Sequence, residues 1–119
     1  MLRRPWKILE QLYLHTKWFI QRGWRGYSDS DVWDIDCYIS HWMPSALRRL
    51  RHSGNSYPAD LSGRDEWDKI LDEMILGFEA TRKVQELEFG STEEERSLVL
   101  AQANRGLELF RRHYFDLWD

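Results

Sequence analysis

A short segment rich in arginine and aromatic residues, 22–28, offers the most favourable chemistry in the sequence. Arg22 and Arg25 alternate there with Trp24 and Tyr27, and Ser28 begins the next predicted helix. Guanidinium groups beside a helix N-terminus can bind an anion, because the first N–H groups of a helix have no partner within it. Aromatic rings beside them can stack on a nucleobase. The segment therefore predicts an anion or nucleotide site.

The same residues also fit a structural role, and the sequence does not decide between a binding site and this structural role. Trp24 and Tyr27 could pack as a hydrophobic staple while the arginines cap carbonyl groups or pair with acids. Asp36 falls at the edge of an apolar stripe and is expected to have a partner there, because burying a lone charge is costly. Asp36 would then either tether the turn to the helix or contact a ligand.

A second basic cluster follows at the end of the second predicted helix. It consists of Arg48, Arg49, Arg51 and His52. Cations are favoured at this end of a helix. If the fold or a second subunit brought the two clusters together, they would form a phosphate-binding pocket. The net charge of −3 argues against a general nucleic-acid coat.

Two pairs of aspartates suggest an alternative, a metal site. Asp31 and Asp34 are three residues apart, and so are Asp65 and Asp68. Acidic pairs on facing helices can hold Mg²⁺ over a phosphate chain. The spacing resembles that of all-helical nucleotide pyrophosphohydrolases, which usually carry Glu at most of these positions. Asp65 and Asp68 point away from the apolar stripe of their helix, and Asp34 lies opposite the stripe of its own, which favours solvated faces or caps.

No other pattern indicates catalysis, and no cofactor is predicted. The spacing of Gly23 and Gly26 matches neither a P-loop nor a dinucleotide-binding turn. Cys37 and four scattered histidines do not form a zinc motif. His41 lies one helical turn after Cys37, but a single Cys and a single His on one helix do not indicate a catalytic nucleophile. A non-enzymatic role is therefore favoured.

Hydrophobic periodicity predicts the elements that must position these residues. Helices are expected over 5–20, 28–52, 62–90 and 92–118, with the second kinked or broken near Pro44 and the last one long. We therefore expect an all-α bundle of about four helices, with residues 1–119 as one domain. Gly23 and Gly26 are expected to break the chain after the first helix, and Gly90 to end the third. The predicted capping boxes begin at Ser28, Ser62 and Thr92.

Each predicted helix carries an apolar stripe. The first stripe could face the domain or, since the opposite side is partly basic, a membrane surface; packing on the domain is favoured. Ala103 and Gly106 would let another helix approach closely. The stripes comprise Trp6, Leu9, Leu12, Tyr13 and Phe19; Val32, Ile35, Ile39, Trp42, Met43, Ala46 and Leu50; Trp67, Ile70, Leu71, Met74 and Phe78; and Val99, Ala103, Gly106, Phe110, Tyr114 and Leu117.

Composition bounds the class of protein. The 119 residues are 42% hydrophobic and 31% charged, as expected of a folded, water-soluble chain. Seven tryptophans are many for this length, so some should lie at an interface or a pocket rim. Cys37 alone allows no intrachain disulfide, and neither a membrane span nor a signal peptide is apparent. These features predict a cytoplasmic protein.

Two strings resemble a family of small proteins in tailed-bacteriophage genomes. They are RGWRGYSDSDVWDID, beginning at Arg22, and EWDKILDEMILGFE, beginning at Glu66. The resemblance covers residues 22–79. It implies a phage or prophage origin and an accessory role, and it carries over no catalytic residue.

Three functions follow as hypotheses. The first is a non-enzymatic phage accessory protein, homo-oligomeric and in the host cytoplasm, that sequesters a nucleotide signal of anti-phage defence. The second is a host-protein inhibitor or structural adaptor that acts by protein–protein contact. The third is a Mg²⁺-dependent nucleotide hydrolase.

Overall fold

The computed structural model describes residues 5–87 and 91–118 and confirms the all-α prediction. Four helices form: α1 (Pro5–Arg25), α2 (Ile35–Ser53), α3 (Arg64–Glu86) and α4 (Glu93–Arg112). Short 3₁₀ turns occupy Ser30–Asp34 and Tyr114–Asp116, and these described stretches contain no β-strand. The chain packs as two compact units, Met1–Tyr38 and Ile39–Asp119. The single domain over 1–119 stays a prediction.

Helix α1 is longer than predicted. It continues past residue 20 to Arg25, so Gly23 lies inside the helix rather than breaking it. A single glycine costs a helix only about 1 kcal/mol, and the neighbouring residues tolerate helical geometry. Gly26 does end the helix: its φ is 86°, and its N–H donates to the Arg22 carbonyl at 2.9 Å. Glycine suits this left-handed position because it has no Cβ.

The segment after Gly26 forms a capped 3₁₀ turn instead of the start of α2. The predicted pairing of Ser28 with Asp31 is present, since the Ser28 N–H donates to Asp31 Oδ2 at 2.8 Å and the Asp31 N–H donates to Ser28 Oγ at 3.3 Å. This cap opens the turn at Ser30–Asp34, and α2 begins only at Ile35. The expected start of the helix near Ser28 is therefore wrong.

Helix α2 runs through Pro44 without a break. Proline has no N–H, so the carbonyl of Ser40, four residues earlier, loses its helical donor. The buried positions of α2 are Ser40, Pro44 and Leu47, which lie beside the predicted stripe. Three residues of that stripe, Ile39, Met43 and Leu50, are partly buried against the core. Within that stripe, Val32 and Ile35 are about half exposed.

The core of unit Ile39–Asp119 centres on α3. The predicted buried face is confirmed, and Leu71 and Met74 are completely inaccessible. Helix α4 crosses α3 at two glycines, where a Cβ on Gly77 would lie 2.3 Å from Gly106 Cα. The close approach that Gly106 predicted is therefore real. The buried core cluster comprises Leu47, Trp67, Leu71, Met74, Ile75, Phe78 and Leu109.

The ends of α3 and α4 correct two further predictions. Helix α3 begins at Arg64, and Ser62 donates its N–H and its hydroxyl to Glu66 rather than pairing with Asp65. It ends at Glu86, and the predicted stop at Gly90 lies outside the described residues. The Thr92 cap of α4 is confirmed, with the Glu95 N–H donating to Thr92 Oγ1 at 3.2 Å. Helix α4 ends at Arg112, short of residue 118.

Candidate functional site

Arg22, in the last turn of α1, forms a bidentate ion pair with Asp31. Arg22 Nε lies 2.9 Å from Asp31 Oδ2, and the Arg22 NH2 group lies 2.7 Å from Asp31 Oδ1. Asp31 is only 8% exposed and also accepts the Ser28 N–H. These bonds hold the pKa of Asp31 well below its usual range, the Arg22 bond being the strongest cause. Both oxygens of Asp31 are therefore engaged.

Arg25 is likewise engaged within the turn. Its NH2 group contacts Asp29 Oδ1 at 2.5 Å, its Nε donates to the Tyr27 carbonyl at 2.9 Å, and its guanidinium lies 4.5 Å from the centre of the Tyr27 ring. Gln21 also donates to Asp29 at 3.0 Å. The bonds from Gln21 and Arg25 lower the pKa of Asp29 to about 2. The predicted pairing of the arginines with acids is thus observed for both.

The segment that follows α1, which contains Asp29, Asp31 and Trp33, packs against the polar face of α1. Three side chains of this face, Lys17, Gln21 and Arg25, contact Asp29, and Arg22 contacts Asp31; the pair between Lys17 and Asp29 measures 3.5 Å. On the same side, Trp18 meets Trp33 edge to face, with 5.8 Å between ring centres. Tyr38 adds a hydrogen bond to the Gly26 carbonyl.

The opposite side of α1 is apolar and exposed. At about 100° per residue, seven large apolar side chains share this side, and no residue of α1 is buried. Phe19 is 76% exposed and Trp24 is 90% exposed, and the other five are 56% to 66% exposed. We define the apolar face of α1 as Trp6, Leu9, Leu12, Tyr13, Phe19, Ile20 and Trp24.

Asp36 is not buried at the edge of an apolar stripe, contrary to what the sequence led us to expect. It is exposed in the first turn of α2, where a carboxylate is favoured by the helix dipole. A carboxylate oxygen of Asp36 lies within 4.8 Å of one from Asp34 and of the Cys37 sulfur. These three side chains are the one cluster in the described parts of the chain that could hold a metal ion. Partial burial and then the charges of Asp36 and Asp34 raise the pKa of the Cys37 thiol. A thiol held protonated is a poor nucleophile and a poor metal ligand.

The second basic cluster lies at the C-terminal end of α2, in the unit Ile39–Asp119. Arg48 pairs with Glu79, and Arg51 Nε lies 2.7 Å from Asp72 Oδ1. Arg49 and His52 are exposed. Two of its four residues therefore bridge α2 to α3.

The second aspartate pair of the metal alternative lies at the start of α3. Asp65 is exposed, and Asp68 pairs with Arg64 at 2.9 Å. Together with the Arg22 pair on Asp31, this leaves two of the four predicted carboxylates bonded to arginines. A metal at either pair would therefore have to bind beside an arginine that already neutralises one of the two carboxylates.

The sequence did not indicate the roles of Gln21, Asp29 and His113. Gln21 and Asp29 exchange two hydrogen bonds, since the Asp29 N–H also donates to Gln21 at 2.9 Å. The two residues are eight positions apart. A helix that ended at residue 20 would leave Gln21 outside it, so the sequence offered no reason to expect this contact. His113 is buried edge to face against Trp67, 5.3 Å between ring centres. Its position at the end of α4, seven residues after Gly106 on the stripe, was the available signal.

Comparison of the chain with protein-family models, with curated proteins and with solved structures finds no match. The resemblance to small tailed-phage proteins therefore stays a prediction. Among the described helices, none is long and apolar enough to cross a membrane.

Proposed function

We propose that this chain is a non-enzymatic adaptor that acts by protein–protein contact through the apolar face of α1. The observation that carries the proposal is the exposure of this face, with Phe19 and Trp24 mostly accessible to water. Folded proteins seldom expose a contiguous apolar patch of this kind unless it binds something. Aromatic side chains are also enriched at protein interfaces.

The polar face of α1 explains why the helix exists although none of its residues is buried. Four of its polar side chains bond to the turn that follows, which fixes the rotation of the helix within its unit. The apolar face must therefore point away from that turn. An amphipathic helix held in this way can lay its apolar face against a groove or helix of another protein.

An anion site in the turn has less support. A phosphate that bound the Nε and NH2 groups of Arg22 would have to displace Asp31, which also accepts the Ser28 N–H and is nearly buried. Breaking such a pair leaves a carboxylate uncompensated in a site with little water. Arg25 already has the Asp29 carboxylate and the Tyr27 carbonyl as acceptors. We therefore favour the adaptor hypothesis over nucleotide sequestration and over Mg²⁺-dependent hydrolysis.

The adaptor role is compatible with the accessory role that the resemblance to phage proteins implies. In this proposal the protein works in the cytoplasm of a bacterial host. Its partner presents an apolar surface that accepts aromatic rings. It needs neither a cofactor nor a nucleotide.

Site-specific photocrosslinking tests the proposal. A photoreactive phenylalanine analogue replaces Leu12 on the apolar face in one variant and Gln11 on the polar side in the matched control. In living bacteria, we expect a discrete protein adduct from position 12 and none from position 11. Adding Ile20→Glu should abolish the adduct, because the charge would enter an apolar contact.

Two outcomes would contradict the adaptor role. One is equal labelling at positions 11 and 12, or none at either. The other is a thermal shift with a nucleotide that Arg25→Ala removes and Ile20→Glu does not, which would restore the anion-binding hypothesis.

A further inference from the structure

The spacing of side chains along α1 indicates that a second helix packs on its apolar face. Large and small residues recur at alternating intervals of three and four, the pattern of a two-helix seam. The six seam positions are Trp6, Leu9, Tyr13, Thr16, Ile20 and Gly23. All six are exposed, and they follow one line along the helix.

Resting on the proposed function, we infer that the partner at this face is a second copy of the chain, with the two α1 helices antiparallel. The two-fold axis crosses the pair midway along the seam, at the level of Leu14 and His15. Such a pairing is closed and self-complementary, as in most dimers with one interface.

Side-chain size supports this register. It places Trp6 against Gly23 of the partner subunit, and Tyr13 against Thr16 of the partner subunit. Nothing lies within 4 Å of the position where a Cβ of Gly23 would be, so an indole ring can lie directly on the backbone there. The remaining layer sets Leu9 against Ile20 of the partner subunit. Each large ring thus meets a small residue, which lets the seam pack closely.

Charge supports the antiparallel orientation. Glu10 and Lys17 lie on the same edge of the seam, two turns apart. In an antiparallel pair, residues of one edge meet the same edge of the other helix, so Glu10 comes beside Lys17 of the partner subunit, twice. A parallel pair would set this edge against the opposite one, where Pro5, Leu12 and Phe19 offer no charge. The other edge of the antiparallel pair brings Leu12 beside Phe19 of the partner subunit.

The available area is sufficient for a stable dimer. The face includes four aromatic side chains that are 56% to 90% exposed. At about 150–250 Å² for each fully buried aromatic, their exposed parts come to roughly 600 Å² per copy. With its three aliphatic residues, the face approaches the ~800 Å² per partner of a standard interface.

Sedimentation equilibrium of the purified full chain tests the inference. The wild type should show twice the 14.5 kDa mass of one chain. Leu9→Glu should give a monomer, weakening association more than about a hundred-fold because a charge would be buried in the seam. Gln11→Glu, which adds the same charge on the polar side, should remain dimeric. Circular dichroism checks that each variant keeps its helix content.

Charge reversal tests the orientation. Glu10→Lys places two like-charged pairs at the edges and should weaken the dimer about ten-fold. Lys17→Glu also loses the contact of Lys17 with Asp29, so it serves as the background of a double-mutant cycle: in that background Glu10→Lys should strengthen the dimer instead of weakening it. A monomeric wild type, a dimer that tolerates Leu9→Glu, or a Glu10→Lys effect of the same size and sign in both backgrounds would each overturn the inference. If the wild type is monomeric but Leu12 still crosslinks another protein in cells, the adaptor role stands and only the second copy is excluded.

Discussion

Helices α1 and α3 are both amphipathic and nearly equal in length, at 21 and 23 residues, yet they differ completely in burial. Helix α3 buries seven residues, including Trp67 and Phe78, whereas α1 buries none. The ion pairs of α1 lie on its polar face and its large apolar residues are exposed. Periodicity therefore identifies the face that must be covered but not what covers it. In α3 the cover belongs to the same chain, and for α1 we propose another protein molecule.

Matched leucines give the largest expected contrast between the two helices. Leu71→Ala in α3 should lower the free energy of unfolding by about 3 kcal/mol, because it leaves a cavity where the side chain is fully buried. Leu9→Ala in α1 should change it by less than about 0.5 kcal/mol in dilute monomer, since Leu9 is 66% exposed. Urea denaturation at low protein concentration measures both. Equal losses would show that the α1 face is covered within the chain.

Matched glycines should have effects of opposite sign. Gly106→Ala should destabilise the protein by about 2 kcal/mol, because its Cβ would lie 2.4 Å from Gly77 Cα and the α3 and α4 backbones would have to separate. Gly23→Ala in α1 should instead stabilise dilute monomer by roughly 0.5–1 kcal/mol through helix propensity, since nothing surrounds that position. Thermal unfolding of the two variants gives both signs. A neutral Gly106→Ala would contradict the close helix crossing.

Acid should act most on the turn beside α1, which holds the two carboxyl groups with the most strongly lowered pKa values, and this is the smallest effect. The pKa of Asp29 is lowered to about 2 by its bonds to Gln21 and Arg25, and that of Asp31 is lowered further by Arg22. A lowered folded-state pKa means that the stabilisation is complete above the unfolded value of about 3.9 and is lost as the pH falls below it.

Carboxyl NMR titration measures this effect. We expect the midpoint of Asp29 near pH 2 and that of Asp31 below it, with the contacts of Lys17 and Arg25 lost over the same range. Arg22→Gln should move the Asp31 midpoint towards its usual value. A midpoint near 4 for Asp31 in the wild type would contradict the ion pair.

The sequence sufficed to predict the fold class, the buried face of α3, the Thr92 cap and the glycine contact of α4. These features depend on local spacing and on residue size. It did not suffice for the ends of the helices, because the pairing of Ser28 with Asp31 caps a 3₁₀ turn as well as an α-helix. It also did not determine the role of Arg22 and Arg25. An arginine near a helix end suits a phosphate and a carboxylate equally, and the choice depended on where Asp29 and Asp31 fold back.

Hydroxyl-radical footprinting across a protein concentration series tests most directly whether the apolar face of α1 binds a second copy. Tyr13 and Phe19 lie on the apolar face of α1, and Trp33, similarly exposed at 72%, lies on the other side of the helix as an internal reference. We predict that Tyr13 and Phe19 become protected as the concentration rises, with unchanged labelling of Trp33, and that Leu9→Glu removes the protection. Labelling of Tyr13 and Phe19 that stays constant across the series, or that matches Leu9→Glu at every concentration, would contradict this prediction.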